Sequence, residues 1–545
     1  MKKITFSIIL FFLTVLLSEC LCFEGRYYVI YFKDKGDNIL NISKDNLLSK
    51  NSIEKRIKQN IPIDYLDYPI YTKYVDKVVE NNVKVILYSK WLNCIVINVK
   101  DFVFDVEKTL QNYDFISKII PVNYVSKTTT SNNKNKYFNN ELLKNNREFE
   151  LQNNFVNGLE LHNKGYLGKD VTIAVLDDGF YNVNVYSAFE HLYNENRVIA
   201  TKNFINNSNI YKTGFHGCMV LSTLAAYIPE SLIGSAPKAN YMFFKTEDDY
   251  FESILEEYAW VAAAEYADSL GVDIISSTSV YTIFDNEYDS HSYSDLDGVT
   301  CPITIGAEIA ASKGILVFNS AGNYGNSDWN YIGAPADGKN VIAIGGVNKD
   351  STLWNSSSIG PTFDERIKPD LCALASNVVV LDPMGNGTNT TYMSGTSFAE
   401  PVVAGFSACL LEAFKNVEIA KIRDAIYLSS DRYNYPDNKF GYGIPNFLEA
   451  FNILSQISDY SEDDINEIIV YPNPINNNEF YIKSYNEVKN IQIFDANGRV
   501  VHYTINKTSL LEYQIKLAGN YNNNILLLNV FTDVNKITTK LFSQK

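Results

Sequence analysis

Runs of apolar residues divide the chain into three patterned segments separated by polar text. From Arg26 the stretch RYYVIYFK reads as a strand, followed by the helical stretches LLSKNSIEKRIK and YVDKVVENN. The strands VKVILYS and CIVINVK, the helix VEKTLQNY and the strand ISKIIPV complete a small α+β unit ending near Val125. The following TTTSNNKNKYFNNELLKNNRE is polar and Asn-rich, with little to bury, and reads as a linker that a protease can reach. In the second segment strands and helices alternate. VTIAVLDDG precedes the helix HGCMVLSTLAAY, NYMFFKT precedes FESILEEYAWVAAAEYADSLG, VDIISS precedes ITIGAEIAASKG, and ILVFNSAGN follows. Such alternation predicts an α/β unit, a parallel sheet with helices on both faces. After Asn446 the helical text fades into the acidic connector SQISDYSEDDINE. The last segment, EIIVYPNP, FYIKSY, VKNIQIFDANGRVV, YQIKLAG and NILLLNVF, predicts a small β-sandwich with Asn497-Gly498 as a hairpin turn.

The first residues, MKKITFSIILFFLTVLLSECLC, place Lys2 and Lys3 before an apolar run, the layout of a secretory signal peptide over 1–22 and too short for a membrane span. Cys20 and Cys22 raise a lipoprotein alternative, but Glu19 is a poor neighbour for a lipidated cysteine, so simple cleavage is preferred. The five other cysteines are scattered singly without a CxxC pair and read as buried thiols. With 545 residues, three or more folding units are expected. A composition of 46% hydrophobic and 20% charged residues is globular, and a net charge of -16 argues against nucleic acid or an acidic membrane as partner.

In a parallel sheet ligands sit beyond the carboxyl ends of the strands. Asp177, His216 and Asn323 each lie where a strand ends or a helix begins. Asp177 ends an apolar strand, where a carboxylate is costly unless paired, and a histidine N–H is a natural partner. Asp178 is the alternative, but Asp177 is nearer the strand and leaves Gly179 to make the turn. Of five histidines, His162, His191, His291 and His502 lie in polar text or outside the α/β unit, whereas His216 precedes a glycine at a helix start. Ser397, in YMSGTSFAEPVVAG, admits two readings. Ser397-Phe398-Ala399-Glu400 fits a helix-starting capping box, and a serine near a helix start with a base within reach is a candidate nucleophile. Pro401 requires that helix to begin close to Ser397, which places the Ser397 N–H among its free donors. That donor and the Asn323 amide suit an oxyanion.

Asp177-Asp178-Gly179, His216-Gly217, Ser320-Ala321-Gly322-Asn323 and Gly395-Thr396-Ser397-Phe398-Ala399-x-Pro401 together resemble, in order, the four signatures of the subtilisin-like serine proteases. The resemblance covers roughly residues 150 to 455. It implies that Ser397 is the nucleophile, His216 the base, Asp177 its orienting group and Asn323 an oxyanion donor. It also implies that Thr278, Ser279, Val280, Ala321 and Gly322 line the substrate. Where the family writes Ser-Leu-Gly, this chain has Thr278-Ser279-Val280, and the β-branched Val280 narrows the specificity wall. Cys218 stands where the family commonly has threonine and reads as a buried helix residue. Glu400 is unusual within the serine motif; it is favourable in a first helical turn or raises the pKa of the base.

The first unit resembles the family's inhibitor-like prodomain, an intramolecular partner suited to a slow-folding parallel sheet. The tail, with VYPNP and IFDANGRVV, resembles the sorting domains of type IX secretion, with a carbohydrate-binding or adhesive sandwich as the other reading. The expected divisions are a signal peptide at 1–22, an α+β prodomain at 24–126, a linker at 127–150, a catalytic domain at 151–457 and a sorting domain at 466–545. The resemblance implies an exported endopeptidase made as a precursor, acting on protein or peptide substrates without a catalytic cofactor. A structural calcium ion is admitted by the family, but no EF-hand-like ligand run supports it. The competing reading is a catalytically inactive surface-binding protein on the same fold.

Overall fold

The computed structural model describes residues 25–122, 149–458 and 468–543, apart from short breaks at 38–41, 44–45, 101–103, 250, 477, 485–486, 510–511, 520, 522–523 and 533–535. The signal segment at 1–22, with Cys20 and Cys22, nearly all of the linker, and the acidic connector from 459 lie outside the described residues.

Strand β1 (Arg26–Phe32) is apolar on both of its faces because both are covered. Tyr28, Ile30 and Phe32 face the unit's own helices, whereas Tyr27 and Val29 pack with Tyr258 of the next unit. Helices α1 (Lys50–Lys58), α2 (Thr72–Val79) and α3 (Val106–Leu110) accompany β2 (Lys84–Ser89), β3 (Cys94–Val99) and β4 (Ile116–Val122). The four strands form an antiparallel sheet in the order β2-β3-β1-β4.

The second unit is built on seven parallel strands: β5 (Thr172–Asp177), β6 (Val198–Asn203), β7 (Asn240–Lys245), β8 (Ile274–Ser277), β9 (Leu316–Ser320), β10 (Ile342–Val347) and β11 (Leu371–Leu374). Their order is β11-β10-β9-β8-β5-β7-β6. Along β5, Ile173 and Val175 face a cluster shared with α4 (Phe215–Ala225) and α7 (Thr396–Ala413); Ala174 and Leu176 face α5 (Leu255–Leu270) and α6 (Pro302–Ser312). The strand order reverses beside β5, and ligand sites of open parallel sheets lie at such reversals. Helix α7 starts at Gly395, which is its cap, so the capping-box reading of Ser397 is corrected: Ser397 is the second helical residue. Pro401 lies inside the helix, not at its start. Lacking an N–H, it leaves the Ser397 carbonyl without its i+4 helical donor.

The first unit docks on α5 and on the end of α6 through polar groups, most of them buried. Glu265 of α5 accepts from the Ser89 hydroxyl at 2.5 Å and from the N–H groups of Lys90 and Trp91 at 2.8 and 3.0 Å. Arg56 of α1 bridges Asp67 at 3.0 Å and Asp268 of α5 at 2.7 Å. Lys313 reaches Asp64 at 2.7 Å and Asp67 at 3.1 Å.

The third unit holds β12 (Ile468–Asn476), β13 (Glu479–Ser484), β14 (Val488–Phe494), β15 (Tyr503–Ser509), β16 (Glu512–Leu517), β17 (Ile525–Thr532) and β18 (Lys536–Phe542). They form a four-stranded and a three-stranded sheet. Alternate residues such as Phe480, Ile482, Ile491, Ile493, Leu526 and Leu528 share one core between the two sheets. Among the described residues no helix is long and apolar enough to cross a membrane.

Candidate active site

Asp177 is the last residue of β5 and is fully buried. Its cost of burial is met by three donors. The His216 Nδ1 lies 2.9 Å from Oδ1, the Asp178 N–H donates to the same oxygen at 2.8 Å, and the Thr278 hydroxyl donates to Oδ2 at 2.7 Å. Burial raises the Asp177 pKa, but the imidazole, the hydroxyl and the N–H outweigh it and hold the carboxyl below its ordinary range. Thr278 follows β8, the strand beside β5, so the sheet register itself sets the hydroxyl against the carboxylate.

His216 is the second residue of α4. Helix α4 can approach the Asp177–Gly179 turn only because Gly217 has no side chain: a Cβ there would lie 2.1 Å from the Gly179 carbonyl oxygen. The Gly217 N–H donates instead to Asp178 at 2.9 Å. Burial disfavours the charged imidazole, yet the charge and hydrogen bond of Asp177 prevail and the pKa is raised. With Nδ1 on Asp177, Nε2 is the ring nitrogen that proton transfer to or from a substrate would use. Burial, and then the neighbouring Asp177 carboxylate, push the Asp178 carboxyl well above its ordinary range, and Lys245 at the end of β7 donates to the Asp178 main-chain carbonyl and pairs with Asp249 at 3.0 Å.

The first turn of α7 comes against this pair. The ring of Phe398 lies 5.8 Å from that of His216, centroid to centroid, and Ser397 precedes it at 7% exposure. Asn323, beyond β9, is fixed by its oxygen, which accepts from the Thr396 N–H and hydroxyl, each at 3.0 Å. Because both partners are donors, the atom facing them is Oδ1, and Nδ2 remains a donor on the Gly395 side. The fold thus brings Asp177, His216, Asn323 and the Ser397 segment to one end of the sheet.

The other expected residues are distributed differently. The Thr278 side chain serves Asp177, the Ser279 hydroxyl donates to Glu247, and Ala321 is fully buried with its N–H on the Ile344 carbonyl at 2.9 Å. Val280 and Gly322 lie against each other. Glu247 was not singled out by the sequence; it follows β7 by two residues in charged text that gives no period. Cys218 is buried and its thiol is pushed up by burial. Among the described residues the one cluster of three acidic or imidazole ligand atoms is Asp177, Asp178 and His216, which the hydrogen bonds above already join.

Glu400 faces neither solvent nor a cation. It is fully buried, one oxygen accepts from Ser276 of β8 at 2.9 Å, and the other has no partner. Burial first, and then the nearby Asp177, keep its carboxyl protonated well above its ordinary value of 4.5. A raised acid pKa stabilises the fold only while the unfolded carboxyl is also protonated, and the benefit is lost as pH climbs past the unfolded value. Glu400→Gln is therefore expected to match the parent in melting temperature near pH 4. It should exceed the parent progressively toward pH 8, as checked by thermal unfolding across that range.

Comparison with known proteins places these features. The sequence pattern of the Subtilase family matches residues 168–443, that of the peptidase S8 propeptide domain of Bacteroidota matches 27–139, and that of the secretion system C-terminal sorting domain matches 469–544. The last marks the chain as secreted or displayed at the cell surface. Subtilisin NAT of Bacillus subtilis subsp. natto is 30% identical over 288 residues, 52% of this chain and 65% of that relative's length. Serine protease AprX of Bacillus subtilis is 27% identical over 306 residues, 51% of this chain and likewise 65% of its own length. The crystal structure of a mutant of the epidermin leader peptide processing serine protease of Staphylococcus aureus shares the fold at 16% identity. Its TM-score is 0.53, covering 79% of this chain and 99% of that one. With half of its length matched to one family and a propeptide domain and a sorting domain on either side, the chain belongs to the subtilase family.

Proposed function

We propose that the chain is a serine endopeptidase, made as a precursor, that cleaves peptide bonds through an acyl-enzyme. The observation that carries this reading is the Asp177–His216 pair, anchored from three sides and facing the first turn of α7. In this reading the Ser397 hydroxyl attacks the scissile carbonyl while His216 Nε2 takes its proton. Asp177 keeps the imidazole in the tautomer that accepts at Nε2 and stabilises the imidazolium. The carbonyl oxygen, now an oxyanion, is held by Asn323 Nδ2 and the Ser397 N–H. His216 then returns the proton to the leaving amine, and water repeats the sequence to free the acid. The chemistry needs no cofactor. Residues 24–126 serve as the prodomain, 127–150 hold the processing region, 151–457 are the catalytic domain and 466–545 address the precursor to the type IX machinery. The docking of Arg56, Ser89 and Trp91 on α5 supports an inhibitory role for the first unit.

A fluorophosphonate probe tests the reading, because it labels only a serine activated by a neighbouring base. Labelling of the mature protein that is lost in Ser397→Ala is the expected result. A folded mature protein that resists the probe would instead favour the competing reading, a catalytically inactive surface-binding protein on the same fold.

A further inference from the structure

Strand β8 ends at Ser277 and α6 begins at Pro302, so residues 278–301 form one long connection. Connections of this kind in α/β units usually take about two to six residues. The first residues of the connection, Thr278 to Val280, are those that the family resemblance sets beside the substrate, and the next ones are held in a small layer of three runs. Tyr281 exchanges backbone hydrogen bonds of 2.8 and 3.0 Å with Ala334 on one side. On the other side the Thr282 carbonyl accepts from the His291 N–H at 2.8 Å, and the Phe284 N–H donates to the Ser290 hydroxyl at 2.9 Å, so the chain returns on itself between Thr282 and His291.

One side chain fastens that return to the body of the unit. His291 Nε2 is hydrogen-bonded to Glu257 Oε1 in the first turn of α5, and the Phe284 ring meets the imidazole at 69°, 5.5 Å between centroids. Glu257 is fully buried, and its second oxygen accepts at 3.1 Å from the N–H of Ile303, the second residue of α6. Among the described residues His291 is its one ion-pair partner. A buried carboxylate is costly unless it is paired and hydrogen-bonded. Glu257 therefore ties down both the return of the connection and the start of the helix into which it runs. Activation of Ser397 goes through a different pair, Asp177 and His216. Resting on the protease reading above, we propose that His291 is a positioning residue for peptide binding. By fastening the connection to Glu257 it keeps the Thr278–Tyr281 run ordered before an extended peptide arrives, and a wall ordered in advance costs less to bind against.

Steady-state kinetics on a tetrapeptide anilide, compared with the rate of fluorophosphonate labelling, test the assignment in the mature enzyme. The small probe reports serine activation, whereas the anilide also needs the run that holds its backbone. In His291→Ala, KM should rise by about tenfold or more while kcat and the labelling rate stay within about threefold of the parent, the pattern of lost binding rather than lost chemistry. His291→Gln offers an amide N–H in place of the Nε2–H and should return KM to within about threefold of the parent, whereas His291→Asn, one methylene shorter, should resemble the alanine variant. If His291→Ala does not fold, the glutamine and asparagine variants decide the matter between them. A KM that no variant moves overturns the proposal. So does a fall in labelling as large as the rise in KM, or glutamine and asparagine variants that behave alike. Failure of the underlying reading looks different: the parent itself cleaves no anilide and Ser397 stays unlabelled, and this assignment then falls with it.

Discussion

His216→Ala is expected to lower kcat on a peptide substrate by a factor on the order of 10⁶, the size established for removing the corresponding group from subtilisin itself. On the proposed mechanism, loss of the imidazole leaves Ser397 without an acceptor for its proton and the leaving amine without a donor, so both halves of the reaction lose the same group. The variant should also remain unprocessed, if the precursor cuts its own linker, and should react slowly with a fluorophosphonate. Retention of activity within tenfold would falsify the role given to His216. The parent's pH profile carries a related expectation. The base works only when neutral, and Asp177 raises its pKa above the ordinary 6.5. Activity should therefore rise with pH along a limb centred above 6.5, and be lost as the imidazole is protonated below it.

Arg56→Ala is the second change with a large expected effect. The guanidinium is 2% exposed and neutralises Asp67 and Asp268, themselves buried. Removing the guanidinium strands Asp268, whereas Asp67 keeps Lys313 at 3.1 Å, and a buried charge left without its partner costs about 3–5 kcal/mol. Because Asp67 and Asp268 lie on opposite sides of the junction between the first unit and α5, most of that cost falls on docking. In a Ser397→Ala precursor, which stays intact, the first unit should become susceptible to added trypsin by a factor on the order of 10² or more, since cleavage of an opened state follows its population. Susceptibility within twofold of the parent would show that the buried ion network does not hold the two units together.

Much of this molecule was legible in its sequence, for reasons that differ between its parts. The four strands read in the second segment are interior strands of one sheet, so burial on both faces writes them as continuous apolar runs such as TIAVL and LVF. The edge strand β6, VIATKN, alternates with polar residues beside solvent and carries no such run. Strand β10 is apolar and as long as β5, but Gly345-Gly346 blurs its pattern. Glycine helped make three of the motifs legible: Gly179 and Gly322 take up positive φ, and Gly217 leaves room for α4 to reach the Gly179 carbonyl. The support beneath them was not. Thr278 reads as a strand-end residue with a polar side chain, and only the register of β8 against β5 turns its hydroxyl toward Asp177. Glu400 reads as a helix-start acid. Its burial against Ser276 depends on α7 crossing the sheet, which no local pattern encodes.

The five cysteines of the described chain, Cys94, Cys218, Cys301, Cys372 and Cys409, are each buried and unbridged. Hydrocarbon around them raises every one of the thiols, so none offers the thiolate that oxidants and metals attack. Many exported proteins rely on covalent cross-links for durability outside the cell. Within the described residues this one relies on packing and on buried ion pairs and hydrogen bonds instead, so these five thiols should leave its stability indifferent to whether the surroundings are reducing or oxidising.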